Sequence, residues 1–194
     1  ICDLVEAPVT RSPSQSPLGS LPAKPRPAAF LDRDGVLNED LGFAHRPDQI
    51  RWIPGAIEAV KRLNQLGFLV FIVTNQAGIA RGLYTEDHVR ALHTWMNREL
   101  ERHGARIDDF RFSPHHPDFG DGRYRHLADW RKPEPGMLID LMRTWSVLTE
   151  PSFMIGDRDT DVQAAQAAGI RGFLFSGSNL LERIDEILAA ISSG

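Results

Sequence analysis

The 194-residue chain is predicted to form an α/β domain built on a doubly wound, Rossmann-like parallel sheet. Two observations carry this. From Ala28 onward, short apolar runs alternate with segments of helical periodicity. The helical segments are punctuated as helices are, with proline or a capping residue at the start and glycine at several of the ends. The length suits a single core, and 42% hydrophobic residues are enough to fill it.

AAFLD, from Ala28, is a short buried strand. PGAIEAVKRLNQLG is a helix opened by Pro54 and closed by Gly67. FLVFIVTN is a second strand, apolar and β-branched. TEDHVRALHTWMNRELERHG starts with a threonine cap and an acidic first turn and runs to Gly104. DDFRFS is a third strand, PGMLIDLMRTWS a helix, SFMIGD a strand, TDVQAAQAAG a helix, RGFLFS a strand and NLLERIDEILAAI a closing helix. Strand–helix alternation of this kind covers both faces of a parallel sheet. Residues 1–27 are rich in Pro and Ser and cannot build a core; they are expected to lie as an extended arm on the 28–194 domain or on a neighbour.

A net charge of −4 gives no support to a nucleic-acid or membrane partner. No apolar run approaches the length of a bilayer span, and no secretory signal is visible. A cytoplasmic monomer is expected. Cys2 is the only cysteine, so no disulfide framework and no thiolate cage can form.

The chemistry lies at the strand ends. The first strand ends in Asp32-Arg33-Asp34-Gly35, the second in Thr74-Asn75-Gln76, and the fourth in Gly156-Asp157-Arg158-Asp159 with Asp161 beyond. Arg131-Lys132 precedes the third helix. In a parallel sheet these meet at one edge, outside the carboxyl ends of the strands. Asp159 and Asp161 read as helix caps. Asp32, Asp34 and Asp157 do not, because carboxylates crowded in one crevice repel unless a cation holds them. Oxygen ligands with an added lysine and hydroxyl suit Mg²⁺ and a phosphoryl group. Asp32 could attack phosphorus and Asp34 could exchange protons with the leaving group and water.

FLDRDGVLN, VTNQAGIARG, RKPEPGM and GDRDTDVQAA resemble, in this order, the four motifs of the haloacid dehalogenase (HAD) superfamily of phosphatases. TNQAGIARGLYTEDHVRALHTWMN and SPHHP bring the chain closest to the D-glycero-D-manno-heptose 1,7-bisphosphate phosphatases, with histidinol-phosphate phosphatase as the sister branch. The resemblance implies a HAD-like fold and a phosphoric monoester hydrolase acting on a small phosphorylated sugar. It makes Asp32 the nucleophile and Asp34 the general acid/base. Mg²⁺ would be held by Asp32, the backbone carbonyl of Asp34, and Asp157. Thr74 and Lys132 would grip the phosphoryl group, with Asn75, Gln76 and Ala77 beside them. Arg131, Arg158 and the flap Asp40-Leu41-Gly42-Phe43 would meet the rest of the substrate. Glu39 to Ile53 is too short for a large cap domain, so the site should be shielded by loops alone.

In most members of both branches the loop before Arg-Lys-Pro holds zinc through Cys-x-His and Cys-x-Cys. Here those places are Ser113, His115, Ala128 and Trp130. One histidine cannot complete a four-ligand cage, and no spacing supports a substitute set from His115, His116, Asp118 and His126. No zinc is expected; Trp130 and Tyr124 would anchor the loop by packing. His88, His93 and His103 read as surface or packing residues, and Trp52, Trp95 and Trp145 as core. Three rivals stand beside the heptose reading: histidinol-phosphate phosphatase, a phosphate-accepting receiver module, and an idle binding protein on the same fold.

Overall fold

The computed structural model describes residues 24–192. Its sheet consists of β1 (Ala28–Leu31), β2 (Leu69–Asn75), β3 (Asp109–Ser113), β4 (Phe153–Gly156) and β5 (Arg171–Leu174). All pairings are parallel, in the order β3-β2-β1-β4-β5. The helices are α1 (Ala56–Gln65), α2 (Glu86–Arg102), α3 (Gly136–Trp145), α4 (Asp159–Ala167) and α5 (Leu180–Ser192). Every expected element is present, its ends shifted by no more than a residue or two. Segment 39–53 holds a single 3-10 turn, Pro47–Gln49, and no cap domain is inserted there.

Strand residues divide between the two faces with period two. Ala29, Leu31, Val70, Ile72 and Ile155 join the core under α1, α2 and α5. Ala28, Phe30, Phe71, Val73 and Met154 pack with Met137, Leu138 and Leu141 of α3 and Ala164 of α4. The helices form where expected because their apolar residues fall on one face, as Ala56, Ala59, Val60 and Leu63 do in α1. Thr85 caps α2, its hydroxyl accepting from the His88 amide.

The tryptophans correct one expectation. Trp52, Trp95 and Trp145 border the core rather than fill it. For Trp145 the reason is its indole N–H, which donates to Asp109 Oδ2 at 2.9 Å and so keeps the ring at the rim. Of the expected N-terminal arm, the described part is tied down: Arg26 Nε donates to the Gly67 carbonyl at 3.0 Å, and its own carbonyl accepts from Leu148 N at 2.9 Å. The remainder of the arm lies outside the described residues. Among those described, no helix is long and apolar enough to cross a membrane.

The strand order reverses at β1, which has β2 on one side and β4 on the other. A crevice opens where successive crossovers leave in opposite directions. Asp32 follows β1 there and Asp157 follows β4, with the Asp32 amide donating to Ile155 O at 3.0 Å.

Candidate active site

At that crevice Asp32 and Lys132 are both buried. Lys132 Nζ lies 3.1 Å from Asp32 Oδ1 and 2.5 Å from Asp161 Oδ1, and donates to the Val73 carbonyl at 2.8 Å. Burial pushes the Asp32 carboxyl up to about 7; Lys132 opposes this, while Asp161 and Asp34 add to it. For Lys132, burial works to lower the pKa, but Asp32 and Asp161 outweigh it and hold the ammonium above its ordinary value. Burial, then Asp161, raises Asp157.

Carboxylate oxygens of Asp32, Asp157 and Asp161 lie within 4.8 Å of one another. Asp157 Oδ1 is buried without a hydrogen-bond partner. An orphaned anionic oxygen among other carboxylates fits a hard divalent cation, and a single lysine does not neutralise three acids. Two glycines make the crowding possible. A Cβ on Gly35, whose φ is +84°, would sit 2.4 Å from Asp157 Oδ2. One on Gly156 would sit 2.2 Å from the Asp161 Cβ.

Asp161 is the residue that sequence reasoning undervalued. The capping role assigned to it is real, since its Oδ2 accepts from the Arg158 amide at 3.0 Å. Its other oxygen turns into the crevice toward Lys132. Gly156, placed where only a missing side chain allows so close an approach, is the signal that could have revealed it. Asp159 stays in the first turn of α4.

Asp34 occupies a different environment. Its Oδ1 accepts from Arg33 Nε at 3.1 Å and Asn38 Nδ2 at 2.9 Å; its Oδ2 accepts from Arg33 at 2.7 Å and Gln76 Nε2 at 3.1 Å. Arg33 is fully buried and also donates to the Ala44 carbonyl at 2.8 Å. Gln76 Nε2 donates to Thr74 Oγ1 at 2.9 Å, while its carbonyl oxygen accepts from Tyr84 at 2.7 Å. Thr74 therefore accepts from Gln76 and keeps its own proton free. Asp34 thus contributes no carboxylate oxygen to the acidic group; its main-chain carbonyl was the ligand expected from sequence.

A cavity of about 420 Å³ opens over these groups. Asp40, Gly42, Phe43, Asn75, Ala77, Arg131 and Arg158 line it, together with Asp32, Asp34, Thr74, Gln76 and Lys132. Leu41, expected among them, is half exposed and lies outside the lining. Arg81, Tyr84, His116 and Thr160, not foreseen, lie within it. Asn75 clasps the backbone of Lys132: its Nδ2 donates to the Lys132 carbonyl and its Oδ1 accepts from the Lys132 amide, both at 3.0 Å. Arg158 reaches the flap through Asp40 at 3.0 Å. His93, read as a surface or packing residue, is buried against Phe110 with ring centroids 4.7 Å apart.

The zinc-loop segment is held without thiolates. Trp130 packs on the α3 side of the core, and Tyr124 on a small cluster with Ile79 and Val89. Arg131 donates to the His115 carbonyl at 3.1 Å, closing the loop across the place where a metal would bridge it.

Comparison with known proteins agrees with this geometry. A HAD-hydrolase-like family model matches residues 129–186. A D-glycero-beta-D-manno-heptose-1,7-bisphosphate 7-phosphatase of Rhodopseudomonas palustris is 51% identical over 163 residues, which is 84% of this chain and 91% of that protein. The enzyme of the same name from Photorhabdus laumondii is 45% identical, over 74% of this chain and 77% of that protein. The crystal structure of a D,D-heptose 1,7-bisphosphate phosphatase from B. bronchiseptica, complexed with magnesium and phosphate, superposes with a TM-score of 0.72 at 33% identity, covering 84% of this chain and 99% of that one. Those matches leave no place for the receiver-module rival. The carboxylates at the switch point, the lysine between them and the relatives sharing most of its length place this chain in the D-glycero-beta-D-manno-heptose-1,7-bisphosphate 7-phosphatase family, on the HAD-like fold.

Proposed function

We propose that this protein is a Mg²⁺-dependent phosphatase that removes the C7 phosphate of D-glycero-D-manno-heptose 1,7-bisphosphate through an aspartyl-phosphate on Asp32. The observation that carries the reading is the buried contact of Asp32 with Lys132 beside a three-carboxylate group, in a chain 51% identical to a phosphatase of that name. Asp32, Asp157 and Asp161 would hold the cation. When bound, it supplies positive charge that offsets repulsion between the attacking carboxylate and the phosphate.

Asp32 lends an oxygen to phosphorus as the bond from phosphorus to the sugar oxygen breaks. Asp34, protonated for this step, gives its proton to the departing alkoxide, leaving a carboxylate. That carboxylate then takes a proton from water, whose oxygen attacks phosphorus. The bond to Asp32 breaks and inorganic phosphate leaves. Lys132 and the free proton of Thr74 steady the phosphoryl oxygens as charge shifts among them. Arg131 and Arg158 are placed to meet charge farther along the substrate.

Asp32→Asn should lower turnover on the order of a thousandfold or more, since an amide does not attack phosphorus. Asp34→Asn should accumulate protein heavier by one phosphoryl group in a rapid-quench mass measurement, because water is no longer activated. Wild-type turnover in either variant would refute the assignment.

A further inference from the structure

Arg81 has no assigned part in the chemistry above, yet it lines the same cavity as Asp32 and Lys132. Its guanidinium carbon lies 3.6 Å from the ring centroid of Phe119 and 5.7 Å from that of Phe43. The two rings come from different walls, Phe43 from the flap after β1 and Phe119 from the loop before α3. Phe43 holds its place with a left-handed φ of +53° directly after Gly42 at +76°; a phenylalanine adopts such a backbone only when its surroundings require it.

A guanidinium stacked on a ring covers its face and leaves its N–H edge open. No carboxylate of the described residues ion-pairs with Arg81, and none does with Arg131. Arg158 differs, being paired with Asp40. Burial, then Arg158, then Arg81 hold Arg131 below its usual guanidinium range, so these cations lie within each other's field. Two unneutralised guanidiniums lining one cavity, next to the phosphoryl grip, form a receptor for an anion.

We infer that Arg81 is a specificity-determining residue: its edge N–H groups, presented by Phe43 and Phe119, bind with Arg131 the phosphate of the substrate that is not cleaved. This rests on the sugar-bisphosphate reading above and names the side chain that distinguishes a bisphosphate from a monophosphate. Arg131 belongs to the loop before α3 and Arg81 to the loop after β2, so the second phosphate is gripped from two walls.

The test compares kcat/KM on heptose 1,7-bisphosphate and on heptose 7-phosphate for wild type, Arg81→Gln, Arg81→Lys and Arg131→Ala. Arg81→Gln should lower the bisphosphate-to-monophosphate ratio about tenfold or more, chiefly through KM, as expected for a lost charge-assisted contact. Arg81→Lys should fall between, keeping the charge but losing the stacked fork. An unchanged ratio in Arg81→Gln, or equal losses on both substrates, overturns the inference and leaves Arg81 as a brace between loops. If Arg131→Ala lowers the ratio and Arg81→Gln does not, only the role of Arg81 fails. If wild type shows no preference for the bisphosphate, the substrate reading fails with it.

Discussion

Arg131 and Lys132 are adjacent in the chain and stand in opposite regimes. Lys132 belongs to the floor of the site. It is buried, touches two carboxylates, donates to a strand carbonyl and is clasped through its backbone by Asn75. Arg131 belongs to the wall. It is half-buried and held by one bond to a loop carbonyl, with no carboxylate opposite. The floor pairs its lysine with carboxylates of the protein, leaves acid over for a cation and is built on the sheet; the wall is left positively charged and built on loops. Groups that act on the same atoms in every turnover need fixed geometry, whereas groups that recognise a substrate need unspent charge.

Removing the cation from the floor gives the sharpest break. Lys132→Met strands Asp32 and Asp161 facing each other in a buried site. Loss of one partner from such a group costs about 3–5 kcal/mol, and urea denaturation without divalent cation should show it, with Mg²⁺ restoring part. Turnover should fall on the order of a hundredfold or more. A variant as stable as wild type under those conditions would mean the floor is not organised by this charge network.

The wall should respond more mildly. Trp130 rests on the core and abuts Gly136, where an added Cβ would lie 2.9 Å from its ring. Trp130→Ala should lower kcat about tenfold by letting Arg131 and Lys132 shift, although Trp130 touches no substrate. With one histidine in place of four ligands, the purified protein should carry no stoichiometric zinc, and a strong zinc chelator should leave its melting temperature unchanged once Mg²⁺ is restored. One zinc per chain by elemental analysis would reverse the account of how the wall is held.

The smallest effect belongs to His93, packed behind the floor against Arg33. Burial, then Arg33, hold its pKa well below the usual value. The unfolded chain takes up a proton at this histidine as pH falls through about 6.5, and the folded one does not, so stability is present above that pH and lost below it. The loss is at most about 1.4 kcal/mol per pH unit. The difference in urea midpoint between pH 7.5 and about pH 5.5 should shrink in His93→Gln; equal differences would remove His93 from the acid response.

The floor was more legible in the sequence than the wall. Asp32, Thr74 and Asp157 are positioned by strand ends, which can be read from a run of apolar residues, and Lys132 by its place just before a helix opened by proline. Asp161 was half legible, because its capping oxygen accounts locally for an acid at that position and its second partner arrives from a distant loop. The cage around Asp34 needs Asn38, Gln76 and fully buried Arg33 together; an arginine between two aspartates reads on its own as a solvated charge. Arg81 was beyond reach because its meaning depends on two aromatic residues from separate loops, Phe43 and Phe119, meeting over it. Loop-to-loop contacts leave no periodic trace in a sequence.

The paired bonds from the Asn75 side chain to the backbone of Lys132 mimic the exchange between neighbouring strands. Mechanically they are a rivet. They fasten the backbone of Lys132 to the end of β2, so the lysine that grips the reacting phosphate takes its position from the sheet and not from segment 114–131.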